Sequence, residues 1–158
     1  MSMLTGSVLG IFATEEGGVP KPSVDSIDVR LNGVHGERIR DTKHHGGPER
    51  AVCILSNQTL KFLQQDGHPI RGGSTGENLL IDVDEGKLGP GIRLKFTDVE
   101  LEITSPAPPC KTIKESFTNG DFKQLSHKLN PQRTRWYAKV IHEGIIRRDE
   151  IIEINSDA

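Results

Sequence analysis

Apolar residues in this chain fall in short runs, each cut off by glycine, proline or asparagine, and most runs alternate with polar residues. A period of two belongs to strands with one buried face, because successive side chains point to opposite sides of a sheet. "SVLGIFA" (Ser7 to Ala13) reads as a first strand. In "SIDVRLNGVHGERI" the alternation continues on both sides of Asn32-Gly33, a pair that tolerates positive φ and predicts a hairpin turn. "RAVCILS" is apolar at successive positions, so this strand is expected to be buried on both faces. Ser56 or Asn57 then caps a short helix, "QTLKFLQQDG", which Gly67 closes. "GENLLIDV" is a further strand, and "IRLKFTDVELEIT" is two strands linked tightly at Thr97-Asp98. "PAPPC" ends the second of them, since proline fixes φ and lacks the N–H that an interior strand needs. Polar residues dominate from Lys111 to Asn130, with room for one short helix. "RWYAKVIHEGIIRRDEIIEI" closes the chain as paired strands around Gly144 and Asp149. The pattern predicts a mainly β fold, a β-barrel with a few short helices, occupying residues 1–158 as a single domain.

Composition narrows the function classes. The 158 residues carry a net charge of -2, so no overall field draws the chain to nucleic acid or to anionic lipid. Bases cluster locally instead, in "RIRDTKHHGGPER" and "NPQRTRWYAK", which suits one small anionic ligand. No apolar run approaches the roughly 20 residues that span a bilayer, and the N-terminus has no signal-peptide pattern. Two cysteines in unlike settings make no disulfide framework. A cytoplasmic, membrane-free protein is expected.

Those two cysteines differ in prospect. Cys53 sits mid-strand among apolar neighbours and reads as a packing residue. Cys110 follows three prolines and precedes Lys111 and Lys114, whose charge favours the thiolate, the form that attacks sulfur donors and ligates metals. The stiff approach places it where a strand leaves the barrel, facing the mouth. In "KHHGGPER", Gly46 and Gly47 let backbone approach a ligand closely, with Lys43 and Arg50 adding charge. In "RGGSTGENLL" the glycine-rich loop ends in Gly76, Glu77 and Asn78. Glu77 suits tying the loop through backbone N–H groups, and Asn78 suits donation to a ligand. The loop lacks the Lys-Ser/Thr ending of a phosphate-binding P-loop. Arg133 and Arg135 are candidates for two-pronged phosphate binding, next to the only tryptophan and tyrosine.

In order along the chain, "KHHGGPERAV", "GSTGENLL", "PPCKTI" and "RWYAKVIHEGIIRRDEI" resemble the four sequence blocks of the MOSC domain, the module named for the C-terminal part of molybdenum cofactor sulfurase. The resemblance implies a β-barrel and a role with the molybdenum cofactor, a molybdopterin. By that resemblance Cys110 becomes a molybdenum ligand or a carrier of sulfur as a persulfide. Lys43, His45, Gly46, Gly47, Arg50, Glu77 and Asn78 become cleft residues. It also implies an oxidoreductase or sulfur-transfer activity, with N-hydroxylated compounds as candidate substrates. Pyridoxal phosphate is expected on a partner cysteine desulfurase rather than here, and a redox partner is a further candidate. Two other readings stand beside it: a non-catalytic carrier of phosphorylated molybdopterin, and a protein-interaction domain in which Cys110 is inert. The chain departs from the family pattern with Ala107-Pro108-Pro109 where some relatives place an arginine, and with Arg148-Asp149 where Gly-Asp is usual.

Overall fold

A computed structural model describes residues 4–38 and 46–155; Lys43 and His45 lie outside them. Among the described residues ten strands form, β1 (Leu4–Ile11), β2 (Ser26–Arg30), β3 (Gly33–Val34), β4 (Val52–Ser56), β5 (Leu79–Asp82), β6 (Arg93–Lys95), β7 (Glu100–Ala107), β8 (Arg135–His142), β9 (Gly144–Arg147) and β10 (Ile151–Asn155). Seven close into a barrel in the order β1-β10-β6-β7-β8-β4-β5, and β3-β2-β9 make a small separate sheet. Barrel neighbours run antiparallel except β4 and β5, which are parallel. Closure leaves no free sheet edge around the main core.

A parallel pair needs a crossover, and α1 (Asn57–Gln65) supplies it between β4 and β5. Ser56 caps this helix by accepting the Gln58 N–H at 3.2 Å, and Gly67 takes φ +93 just beyond its end. An N-cap of this kind contributes about 1 kcal/mol. Every residue of β4 is buried, because its two faces meet different apolar layers. Val52 and Ile54 point into the barrel with Trp136, Ala138, Leu101 and Ile103. Leu55 points outward under Leu60 and Leu63 of α1, joined by Ile113, Phe117 and Leu125. Ile113 and Leu125 come from 3-10 segments between Lys111 and Leu125, and Phe117 joins two of these segments, where a single short helix is expected from sequence.

Three other expectations change. β8, β9 and β10 are not paired with one another: β8 lies between β7 and β4, β9 leaves to join β2, and β10 returns between β1 and β6. Gly144 makes the first departure possible, since a Cβ there would lie 2.9 Å from the Asp98 Cβ. Second, β7 runs on through Pro106 and Ala107, paired with Trp136 and Arg135. Proline is tolerated because β6 pairs with β7 only from Glu100 to Glu102, so the missing N–H interrupts no ladder on that side. Third, the β2–β3 hairpin forms with Arg30 opposite Gly33, but only Gly33 of the Asn32-Gly33 pair takes positive φ.

Candidate functional site

The site follows from the alternation of β4 and β8. Val52 lies opposite Ala138 and Ile54 opposite Trp136, and all four belong to the barrel core. The intervening pair, Cys53 and Tyr137, therefore faces outward, and with it Ala107 of β7, in a cluster of its own. Arg135, two residues before Tyr137, shares that face. Loops roof this outer wall and enclose a cavity of about 420 Å³. Its lining includes Cys110, Cys53, Tyr137, Arg135, Arg50, Gly46, Gly76 and Asn78, together with Lys21, Glu37 and Arg38 from the N-terminal part of the chain. The cavity thus lies against the side of the barrel, whereas the prolines had placed Cys110 at its mouth. A more open depression of about 650 Å³ beside His68 and Asn119 contains neither cysteine nor any of these bases.

Cys110 is partly exposed, and its Sγ lies 2.8 Å from Thr112 Oγ1. Cys53 forms part of the cavity wall as well as packing: it is 7 % exposed, and burial pushes its thiol from the ordinary value near 9 up to about 11. Burial likewise raises the Tyr137 phenol. Both groups therefore meet the cavity as neutral acids at neutral pH.

Asn78 is fixed on all sides. Its Oδ1 accepts the Cys53 N–H at 3.1 Å, and its amide nitrogen donates to Phe12 O at 3.1 Å and to Glu37 Oε1 at 3.0 Å. Glu77, fully buried, does not line the cavity. Its two oxygens accept the Gly73 N–H at 2.7 Å and the Thr75 hydroxyl at 2.6 Å, so it braces the glycine loop from behind. Burial raises its carboxyl above the usual range, against the opposing pull of these hydrogen bonds and of Arg135.

Arg135 is 3 % exposed and ties two loops together. Nη1 donates to Thr75 O at 2.6 Å and Nη2 to Pro108 O at 3.0 Å, so the guanidinium spans the glycine loop and the proline–cysteine loop. Arg133 does not share this site. β8 begins only at Arg135, and Arg133 lies in the turn before it, with its guanidinium 3.5 Å over the Phe62 ring and Nε 3.9 Å from Glu85 Oε1. Arg50 lines the cavity and donates from Nε to Gly46 O at 3.2 Å. Gly47 is exposed beside it, and Lys111 is exposed next to Cys110; neither lines the cavity.

Sequence reasoning missed Lys21, Glu37 and Tyr137 as cavity residues. Lys21 and Glu37 sit in no recognisable motif, and only the fold brings them to Asn78. Tyr137 was visible, but its face depends on the β4–β8 register.

Comparison with known proteins supports the same frame. YiiM of Escherichia coli (strain K12) is 25% identical over 162 residues, covering 99% of this chain and 71% of its own length. The uncharacterised protein YflK of Bacillus subtilis (strain 168) is 23% identical over 145 residues, and the match spans 90% of this chain but only 64% of YflK. The crystal structure of the YuaD protein from Bacillus subtilis superposes with a TM-score of 0.77 at 17% identity, covering 97% of both chains, which shows the shared fold. Among the described residues no helix is long and apolar enough to cross a membrane. The MOSC domain model matches residues 41–153, which carry the two glycine loops, Cys110 and strands β4 to β9, and on that match the chain belongs to the MOSC domain family.

Proposed function

We propose that the cavity beside β4 and β8 binds a phosphorylated molybdopterin-type cofactor, with the Cys110 sulfur as its point of contact with molybdenum or with a transferred sulfur atom. The observation that carries this reading is the company Cys110 keeps. Among the described lining residues, four cationic side chains (Lys21, Arg38, Arg50 and Arg135) face one carboxylate, Glu37. Such a balance favours an anionic guest, and the volume falls within the roughly 300–1,000 Å³ of small-molecule sites.

The donor set fits a soft metal that brings its own organic ligand. No three His, Cys, Asp or Glu gather as a metal cage among the described residues. One cysteine sulfur in reach of a cavity is a suitable additional ligand for such a centre. When bound, the group supplies two-electron or sulfur-transfer chemistry, for which N-hydroxylated compounds are candidate substrates. The protein's own part is to hold the anionic portion through the cationic side chains of the wall, Arg50 among them, and to present Cys110.

Anaerobic reconstitution with molybdopterin, followed by elemental analysis, tests the reading. Wild type should retain molybdenum in near-stoichiometric amount and Cys110→Ser should fall to background. Equal metal in the two proteins rejects the ligand role. If neither binds metal, labelled sulfur from a cysteine desulfurase should appear on Cys110; its absence as well rejects the whole reading.

A further inference from the structure

The MOSC match begins at residue 41, yet the segment before it supplies part of the cavity wall. Lys21 is the unusual member. It is 9 % exposed, and its ammonium donates to Glu37 Oε1 at 2.9 Å, the one partner of its side chain among the described residues. An ammonium carries three donors, so two remain beside the cavity.

Glu37 is in the opposite state. Oε1 accepts from Lys21 and from Asn78 at 3.0 Å, and Oε2 accepts the Thr14 N–H at 3.1 Å and Asn78 at 3.2 Å. Its acceptor positions are taken, which leaves the pair's remaining polarity positive. The backbone of Lys21 is also held: its N–H donates to Gly73 O at 2.9 Å. A Cβ at Gly73, where φ is +80, would lie 2.3 Å from Lys21 O, so only glycine permits this approach. A buried cation whose backbone and carboxylate partner are both fixed, with donors left over, is a preformed anion site, because leaving those donors unmatched is costly.

We propose that Lys21 Nζ is an oxyanion subsite of this cavity, taking a carboxylate or phosphate group of the molecule that Cys110 meets, with Glu37 and Asn78 as positioning residues. The proposal rests on the cavity being a ligand site, and it does not require molybdenum. Cys110 itself can report on the subsite. Iodoacetate and iodoacetamide have nearly the same shape and differ in charge, so their relative rates of alkylation at Cys110, read by peptide mass spectrometry in low salt, measure the local preference for an anion.

In wild type the iodoacetate-to-iodoacetamide ratio should exceed that of glutathione. Lys21→Gln should lower it by about threefold, the order expected for one nearby charge under partial screening, and should leave the iodoacetamide rate unchanged. The variant Lys21→Gln with Glu37→Gln removes both charges of the buried pair and should show a smaller fall in the same direction, from loss of the ammonium donors, which covers the case in which the single variant does not fold. Protection of wild-type Cys110 by inorganic phosphate but not by succinate identifies a phosphorylated ligand, and the reverse a carboxylate. A ratio unaltered in both variants overturns the proposal, as does an equal fall in Arg38→Gln, which would mean a diffuse field. A protein that binds no molybdenum but keeps the Lys21-dependent ratio retains the subsite and loses only the cofactor reading.

Discussion

The two faces of β4 and β8 have the same backbone and opposite chemistry. Inward, Val52, Ile54, Trp136 and Ala138 contribute only apolar surface to a closed barrel. Outward, one residue out of step, Cys53, Arg135 and Tyr137 meet loops and a cavity. The barrel has enough inward apolar surface to hold the wall rigid, which frees the outer face to carry polar and titratable groups in fixed positions. Substitutions should therefore separate: inward changes act on stability, and outward changes act on pH response and on the loops.

The largest expected effect comes from the inward face. Ile54 is fully buried in the barrel core. Ile54→Ala should lower stability by about 4 kcal/mol, through lost burial and the cavity left behind. For a chain of this length that is a fall of roughly 10 °C in the thermal midpoint, measured by calorimetry or circular dichroism. A fall of only a degree or two would mean that the inner face is not the core, and the comparison would fail at its first step.

The second effect belongs to the outward face and depends on pH. The Cys53 thiol is raised to about 11 in the folded protein, whereas the unfolded chain ionises it near 9. Below pH 9 both states hold the proton and the thiol adds no pH dependence. Between pH 9 and 11 the unfolded state loses its proton first, so stability falls as pH rises, by about 3 kcal/mol across the window. Cys53→Ala should flatten part of that slope, with Tyr137 accounting for a further part at the alkaline end. Denaturant titrations at pH 8, 9, 10 and 11 measure it, and identical slopes in the two proteins would place the thiol in contact with water.

Much of this was legible before any coordinates. The continuous apolar run of "RAVCILS" gave away a strand covered on both sides, and Ser56 marked the helix that covers one of them. Cys110 and the two glycine loops do gather at one cavity, as their resemblance to family blocks implies. Local pattern could not show pairing between distant strands. Neighbouring runs near Gly144 and Asp149 look like a meander, but each finds a better apolar surface elsewhere: β9 on β2, and β10 on β1 and β6. The same limit hid Lys21 and Glu37, whose meaning arises only once Asn78, 41 residues beyond Glu37, donates to that carboxylate. Arg133 and Arg135 look equivalent in sequence, and the start of β8 separates them.

Arg135 gives the smallest effect and the sharpest use of the comparison. Its guanidinium sits on the outer face but binds no carboxylate among the described residues; it bridges Thr75 O and Pro108 O from two different nitrogens. A lysine at this position keeps the charge and loses the planar fork, so it can reach one carbonyl well but not both. Arg135→Lys should cost about 1–2 kcal/mol, the usual penalty for one buried acceptor left unmatched. The more telling consequence is local. With Pro108 released from Thr75, the segment that carries Cys110 is no longer pinned to the glycine loop, and iodoacetamide should reach Cys110 several-fold faster while Cys53 labelling stays slow. Ile54→Ala, assayed well below its midpoint, should leave the Cys110 rate near wild type despite its larger loss of stability. If instead the two variants accelerate Cys110 in proportion to their loss of stability, then global opening controls access to the thiol, and the outer face has no independent hold on the loop.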